Sequence, residues 1–496
     1  MIAAMISSHG RYGHVPGALE IERSVRSRAL PTGRSWLGML SACSVRPVAC
    51  CLSAWQCRQA RLGLRRGRAD RVARESQGGE PAGRRDVRAV ALTMELGAQL
   101  RRMSGAGGKI TQLLSMTQFE KASQDEAPAP RLGVLPEDPE PLPLRDVRRV
   151  VERDLDARLQ DVFAVFDEEP FAIASLGQVH RALTRDGDQV AVKVQRPDIG
   201  NAIASDLRTI GLVSPILKRL APGSDAGALL TEVCERVADE LDYEIEAQHQ
   251  RRLARLFRDH PHVHVPRVHT DLSTRRVLVT EYVDGLGFDE IAQLDDAERD
   301  RIGEIVFRFF FGLVWRDRIV AGDPHPDNCV LTQDGRVCLL DFGLLRGLED
   351  GYLEGERDVV QAVVDADPDA VHGALAHLGY FAKDQSCDPV ALFEHLAMAG
   401  EWFLAEGFRR IDPGYVSRTV ELGYPPRSPW FSVMRRLALP PPTLLLRRME
   451  VQTLYLLGEL RAGGDWAAIA AEHWAHRPPS TLLGREDVAF FERRSS

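Results

Sequence analysis

A short stretch of alternating apolar and polar residues, 178–195, constrains the fold more than any other part of the chain. Alternation with a period of two predicts strands, and the turn residues Asp186-Gly187-Asp188 divide the stretch into the two strands of a hairpin. The second strand carries Lys193 among apolar residues, on the same face as Ala191. The chain has five lysines among 63 basic residues, so a lysine in this strand favours a site that needs a compact ammonium. A solvent-facing lysine on an edge strand is the alternative interpretation.

Two further polar motifs follow in an order typical of phosphoryl-transfer enzymes. Asp323 and Asn328 are five residues apart, and Asp341-Phe-Gly343 follows two short strand-like segments. Phosphoryl transfer requires a lysine on the phosphates, oxygen ligands for Mg²⁺ and a carboxylate near the attacking group. Each motif alone is a weak signal, but the ordered set is typical of protein kinases. We therefore expect Lys193 and Asp323 to be catalytic, with Asp323 as base or as the group that orients the acceptor, and Asn328 and Asp341 to hold the metal.

The residues around these motifs resemble the UbiB/AarF/ADCK family of atypical kinases. Asp323-Pro-His-Pro-Asp-Asn328 resembles the family's Asp-Pro-His-Pro-Gly-Asn signature, and residues 170–180 resemble the alanine-rich loop that replaces the glycine-rich loop of ordinary kinases. Residues 240–247 resemble the family's acidic helix motif, and Lys109-Ile-Thr-Gln112 resembles its amino-terminal Lys-x-Gly-Gln motif. The resemblance extends over most of the chain, from about residue 95 to residue 460.

The resemblance implies which residues contact the nucleotide. The alanine-rich loop would lie along the phosphates, and the backbone after the strand that ends near residue 281 would bind adenine. Alanines in place of glycines should make the phosphate loop stiffer and change how it holds the phosphates. The residues expected at the nucleotide, besides Lys193, are Ala172, Ala174, Ser175, Glu281 and Val283.

Two carboxylates compete for the role of holding Lys193 in place. Glu240 and Glu246 are six residues apart, so on one helix they would lie on different faces and could not both do this. The resemblance assigns Glu240 to Lys193 and places Glu246 opposite Lys109 and Gln112, in a regulatory element that covers the active site. An exposed acidic helix face is the alternative.

The sequence departs from the family pattern at three positions. Thr111 stands where Gly is expected, Asp327 replaces the Gly before Asn328, and His249 replaces an Asn. Asp327 has three possible effects: an added metal ligand, a changed ion preference, or repulsion of the phosphates.

The predicted fold class is α+β: a bilobal protein-kinase-like fold with a small mixed N-lobe, a helical C-lobe and an added N-terminal helical extension. Residues 1–90 contain 16 Arg and 6 acidic residues, so about +10 of charge lies there and about −18 in the remainder. We predict a disordered Arg-rich leader or a mis-assigned start at 1–90, with an organelle-targeting peptide as an alternative. The extension and a Pro-rich linker follow at 91–143, the N-lobe at 144–285 and the C-lobe at 286–480.

The expected function is that of a Mg²⁺-dependent, ATP-binding atypical kinase or ATPase. The resemblance implies a role in isoprenoid-quinone or other lipid metabolism, with ATP and a small-molecule or lipid substrate as partners and no nucleic acid. A catalytically silent nucleotide-binding scaffold is the main alternative, and ordinary Ser/Thr kinase activity is disfavoured because no Ala-Pro-Glu motif follows Gly343. No run of about 18 apolar residues predicts a transmembrane helix. The cysteines have no paired spacing, so a cytoplasmic protein is expected, and a peripheral membrane contact could occur.

Overall fold

The computed structural model describes residues 141–174, 176–221, 223–381, 387–423 and 428–495. Four predictions fall outside this part of the chain: the leader, the N-terminal extension, the pair Lys109 and Gln112, and Ser175. The remaining site residues all lie within it. The predicted domain boundaries stay predictions.

The strands are short and concentrate in the first half of the described chain. They are β1 (Phe163–Phe166), β2 (Ala172–Ala174), β3 (Gly177–Thr184), β4 (Gln189–Gln195), β5 (Val263–His264), β6 (Val277–Glu281), β7 (Gly285–Leu286), β8 (Ile319–Ala321), β9 (Cys329–Thr332), β10 (Val337–Leu339), β11 (Leu345–Gly347), β12 (Arg409–Arg410) and β13 (Gly463–Gly464).

Helices occur throughout the described chain and include most of its residues after Glu281. They are α1 (Leu144–Leu155), α2 (Leu159–Val162), α3 (Ile199–Thr209), α4 (Ser214–Leu220), α5 (Ala226–Asp239), α6 (Tyr243–Leu256), α7 (Phe288–Ile291), α8 (Asp296–Trp315), α9 (Asp350–Val364), α10 (Pro368–His377), α11 (Pro389–Ala399), α12 (Glu401–Leu404), α13 (Pro413–Gly423), α14 (Phe431–Met434), α15 (Pro441–Leu460), α16 (Trp466–Trp474) and α17 (Leu482–Ser495).

The first lobe is built on an antiparallel sheet of order β1-β3-β4-β6, with β2 paired to β3. The predicted hairpin is confirmed, and its turn contains Gly187 with φ of +91°, a backbone conformation that suits glycine. Val190, Val192 and Val194 lie on one buried face of β4 and pack against α1. The period of two therefore directs Lys193 to the opposite face.

Glu240 and Glu246 were expected on one helix, but the chain around them forms two helices. α5 ends at Asp239, and Asp242 begins α6 as its N-cap, accepting a hydrogen bond from the backbone N–H of Glu244 at 3.1 Å. Asp is among the residues that best cap a helix start, since its carboxylate satisfies an N–H that has no partner within the helix. The break changes which carboxylate reaches Lys193.

Two small sheets in the second lobe position the polar motifs. β8 pairs with β11, and the other sheet has the order β5-β10-β9-β7. β8 ends two residues before Asp323, β9 begins directly after Asn328, and β10 ends two residues before Asp341. The strands thus hold the loop at residues 323–328 next to the segment that contains Asp341.

The second lobe packs around two long helices, α8 and α15, each of 20 residues. Most of their side chains are buried in one large apolar core, including Phe307, Leu445 and Leu457. No helix in the described ranges combines the length and the apolar character needed to cross a membrane. A mixed lobe followed by a helical lobe is the predicted α+β arrangement.

Candidate functional site

The Lys193 ammonium lies between two carboxylates. Its Nζ donates to both oxygens of Glu246, at 2.8 and 2.9 Å, and lies 3.6 Å from Oδ2 of Asp341. Glu246 comes from α6 and Asp341 from the segment after β10, so three separate segments meet at this ammonium. The lysine side chain is 18% exposed, and the structure therefore excludes the edge-strand alternative.

Glu246, and not Glu240, pairs with Lys193, which corrects the expectation from the resemblance. The two carboxylates do not share a helix, because the chain breaks between α5 and α6. Glu240 remains close to the site: a β-carbon at Gly343 would lie 3.8 Å from Glu240 Cγ and 4.0 Å from Glu246 Oε2. The predicted contact of Glu246 with Lys109 and Gln112 involves residues outside the described part of the chain.

Burial and neighbouring charges shift the pKa values of this pair. Burial raises the pKa of Glu246 to about 7, although the Lys193 ammonium favours the carboxylate form. For Lys193, burial opposes the charged form, but the Asp341 and Glu246 carboxylates outweigh burial and hold its pKa well above the ordinary value. Lys193 is therefore a cation at neutral pH, and Glu246 gains charge as the pH rises through about 7.

Tyr243 forms one wall of the lysine site and was not singled out from the sequence. Its ring centroid lies 5.0 Å from Lys193 Nζ, a cation–π distance. Its hydroxyl is buried and, among the described residues, has no hydrogen-bond partner. A β-carbon at Gly177 would lie 2.9 Å from this hydroxyl and 2.2 Å from the Val194 carbonyl oxygen, so the one glycine kept in the alanine-rich loop is required by close packing.

The side chain of Asp323 is held by a helix more than a hundred residues later. Nη2 of Arg448, on α15, donates to Asp323 Oδ1 at 2.5 Å. Gln452, one turn further along, donates from its amide nitrogen to the same oxygen at 2.9 Å and to the Pro324 carbonyl at 3.1 Å, in the orientation that satisfies both ends of its amide. Arg448 is completely buried. Two adjacent arginines, Arg447 and Arg448, interrupt the apolar run of α15, and this signal in the sequence was missed.

Asn328 and Asp341 are tied together through the backbone. The N–H of Leu340 donates to the Asn328 carbonyl at 3.1 Å, and the N–H of Gly343 donates to Asp341 Oδ1 at 2.9 Å. The first bond joins the loop at residues 323–328 to the residue before Asp341, and the second fixes one rotamer of the Asp341 carboxylate. The structure thus brings the two expected metal ligands into adjoining segments.

Asp327, one of the three departures from the family pattern, lies at the surface. Its side chain is 85% exposed, and its Oδ2 is 3.6 Å from His325 Nδ1. The backbone N–H of Asp327 donates to the same nitrogen at 3.2 Å, which makes His325 the cap of the 3-10 turn Pro326–Asn328. A carboxylate this exposed is screened by water, so we expect little repulsion of phosphates from it.

The residues expected to contact the adenine and the phosphates lie in β2 and at the end of β6. Ala172 and Ala174 lie in β2, paired with Val179 and Gly177. The Phe171 ring meets the Tyr282 ring edge-on at 5.7 Å, so the alanine-rich loop contacts the segment that contains Glu281 and Val283. The N–H of Glu281 donates to the Arg267 carbonyl at 2.8 Å. The N–H of Glu281 is therefore already bonded, and the binding of adenine by the backbone of Glu281 and Val283 stays a prediction.

The donor set fits a magnesium ion bound together with nucleotide phosphates. Asn328 and Asp341 offer an amide and a carboxylate oxygen, and the Asp341 side chain is 37% exposed. Across the described ranges no three His, Cys, Asp or Glu side chains form a group that could hold a metal. Mg²⁺ commonly takes one or two protein oxygens and completes its shell with phosphates and water, so these two ligands are sufficient.

His249 connects α6 to the Asp341 segment and provides a first test of the site. Its Nδ1 lies 3.1 Å from the Phe342 carbonyl, and burial lowers its pKa, which favours a neutral ring that donates this bond. Replacing His249 by Ala should reduce ATP turnover up to about tenfold, since one such bond contributes roughly 1 kcal/mol. His249→Asn keeps a donor and should retain more activity. Equal, unreduced turnover in both variants would show that this bond does not position Asp341.

Comparisons with known proteins indicate the same class of protein as the site does. The model of the ABC1 atypical kinase-like domain matches residues 135–375. Protein ACTIVITY OF BC1 COMPLEX KINASE 8, chloroplastic, of Arabidopsis thaliana is 31% identical over 258 residues, which are 50% of this chain and 34% of that protein. AarF domain-containing protein kinase 1 of Xenopus laevis is 28% identical over 244 residues, 48% of this chain and 47% of that protein. The chain thus matches less than half the length of these two relatives.

A solved structure, the complex of Rv3197 with erythromycin from Mycobacterium tuberculosis, has the same fold. It aligns with a TM-score of 0.56 and 28% sequence identity, covering 67% of this chain and 83% of that one. The bilobal kinase-like arrangement predicted from the sequence is confirmed. On its motifs, its match to the ABC1 domain and its relatives, the part of the chain at residues 135–375 belongs to the UbiB/AarF/ADCK family of atypical kinase-like proteins.

Proposed function

We propose that this chain binds ATP with Mg²⁺ and acts as an atypical kinase or ATPase that supports isoprenoid-quinone or other lipid metabolism. The observation that carries the proposal is the Lys193 ammonium, held by Glu246 and 3.6 Å from Asp341. A lysine paired to a helix carboxylate beside a metal-binding aspartate is the arrangement that phosphoryl transfer requires. Relatives named as kinases support the same class.

Each residue has a specific task in this proposal. Lys193 orients the ATP phosphates, and Glu246 together with the Tyr243 ring fixes the position of its ammonium. Asn328 and Asp341 would hold Mg²⁺, which supplies neutralisation of the phosphate charge. Asp323 orients the acceptor or accepts its proton, and Arg448 fixes the direction of its carboxylate.

The acceptor in this proposal is a small molecule or a lipid and not a protein. Ordinary kinases bind peptides through a segment that ends in Ala-Pro-Glu, and no such motif follows Gly343 in the sequence. The solved relative bound to erythromycin supports a small-molecule partner for a chain with this fold. The quinone or lipid role itself rests on the family.

A catalytically silent scaffold is the second candidate function. The observation in its favour is that the Asp323 carboxylate accepts hydrogen bonds from both Arg448 and Gln452 on one oxygen. A carboxylate held this way could serve to stabilise the loop alone. Such a scaffold would bind Mg²⁺ and ATP but would not hydrolyse ATP.

Replacing Asp341 by Asn should abolish Mg²⁺-dependent ATP hydrolysis by the full chain. The substitution keeps the size of the side chain but removes the charge that attracts the metal and faces Lys193. Hydrolysis would be measured with and without vesicles of phosphatidylcholine and phosphatidylglycerol. Stimulation by the anionic vesicles would support a membrane-linked acceptor.

Asp327→Asn is the matched control, because it removes an exposed carboxylate from the neighbouring loop. It should keep most of the turnover. Undiminished hydrolysis in Asp341→Asn would exclude the assignment of this site. If the unchanged protein binds nucleotide in the presence of Mg²⁺ but does not hydrolyse ATP, the scaffold function is favoured.

A further inference from the structure

The helical lobe contains a cavity that the proposed function does not use. Its volume is about 120 Å³, and it lies between α9, α11, α14 and α15. Most of its wall is apolar, with Val363, Leu396, Trp402 and Met434 among the lining residues. An apolar cavity of about 150 Å³ can hold a benzene molecule, so this somewhat smaller cavity suits a ligand whose apolar body is no larger than benzene.

One end of the cavity is polar and carries charge. Arg447, on α15, donates from Nη1 to both oxygens of Glu450, at 2.7 and 3.0 Å, and from Nη2 to Glu356. Glu356 Oε1 also accepts from the hydroxyls of Tyr352, at 2.6 Å, and Tyr380, at 3.4 Å. Glu356, Tyr380, Arg447 and Glu450 all line the cavity.

The charges at this end do not balance. Two carboxylates, Glu356 and Glu450, share one guanidinium, which leaves a net charge of −1 when both are ionised. Burial and the neighbouring Glu356 carboxylate raise the pKa of Glu450, although the Arg447 guanidinium opposes this rise. His395, also in the wall, has its pKa lowered to about 4 by burial and supplies no cation at neutral pH. Unbalanced buried charge is costly, so a bound cation would be stabilised here.

We propose that this cavity binds a small primary amine, with an apolar body of about benzene size among the aliphatic and aromatic side chains and its ammonium directed to Glu450 and Glu356. The apolar wall and the excess carboxylate select for that combination. A neutral ligand would leave the charge uncompensated, and an anion would be repelled. A hydrophobic pocket with a few convergent polar groups is the usual form of a small-molecule site.

This site is separate from the site around Lys193. Arg447 and Glu450 are three residues apart on α15 and share one side of it, whereas Arg448 and Gln452 are four apart and share another. The first pair faces the cavity and the second pair contacts Asp323. An amine in the cavity and a nucleotide at Lys193 would therefore bind without excluding one another.

Titration of the full chain with benzylamine and with benzyl alcohol tests the proposal. The two probes have nearly the same shape, but benzylamine is positively charged at neutral pH. Binding is followed by ligand-observed NMR, with and without saturating ATP and Mg²⁺. We expect saturable binding of benzylamine at least about tenfold tighter than that of benzyl alcohol, and unaffected by ATP. Absent binding, equal affinities or displacement by ATP would each overturn the proposal.

Three variants locate the site. Glu450→Gln should remove the preference for the amine while benzyl alcohol still binds, which also shows that the variant is folded. Ala399→Leu fills part of the cavity and should weaken both probes. Glu354→Gln, which removes an exposed carboxylate from α9, should leave both affinities unchanged. A preference for benzylamine that survives Glu450→Gln would show that the amine binds elsewhere.

Discussion

Replacement of Arg448 by Met is expected to lower the free energy of unfolding by about 3–5 kcal/mol, the usual cost of breaking a buried ion pair by removing one partner. Arg448 is completely buried, and the Asp323 side chain that it binds is 16% exposed. Met keeps an unbranched apolar chain like the methylene stem of Arg but has no charged group, so the loss reports mainly on the missing bond to the Asp323 carboxylate. Urea unfolding of the full chain measures this cost.

Two further variants separate the ion pair from general damage. Arg436→Met removes an exposed arginine and should change the free energy of unfolding by no more than about 0.5 kcal/mol. Adding Asp323→Asn to Arg448→Met should recover part of the lost stability, because no unpaired charge then remains. Equal costs for Arg448→Met and Arg436→Met would contradict the proposed role of Arg448.

ATP turnover should fall roughly 100-fold in Glu246→Gln, on the scale expected for loss of one preorganised electrostatic group. The amide cannot compensate the Lys193 ammonium, which lies 2.8 Å from the carboxylate in the unchanged protein. Glu240→Gln should have a smaller effect, because Glu240 does not make this pair. Steady-state ATP hydrolysis by the two variants, measured side by side, distinguishes them.

The pH profile gives an independent check on Glu246. Burial raises its pKa to about 7, so the charged pair with Lys193 forms more completely as the pH rises through that value. Turnover of the unchanged protein should therefore increase between about pH 6 and 8, and this increase should be absent in Glu246→Gln. A larger loss in Glu240→Gln than in Glu246→Gln would restore the assignment that the family resemblance implied.

The sequence alone predicted most of the local elements and the chemistry proposed for them. Alternating residues predicted the hairpin and the face on which Lys193 lies. Successive side chains of a strand point to opposite faces, so Lys193 must lie opposite the buried valines. The order of Lys193, Asp323, Asn328 and Asp341 predicted a kinase-like site, because phosphoryl transfer requires these groups and few others.

Only the tertiary structure decided which side chains meet. The capping of α6 by Asp242 separated Glu240 from Glu246, and the packing of α6 against β6, the strand next to β4, then placed Glu246 at Lys193. Arg448 and Glu450 lie more than a hundred residues from the catalytic motifs, and sequence spacing says nothing about contacts at that distance. Residues two or four apart are placed by the strand or helix itself, whereas distant residues are placed by how whole elements pack.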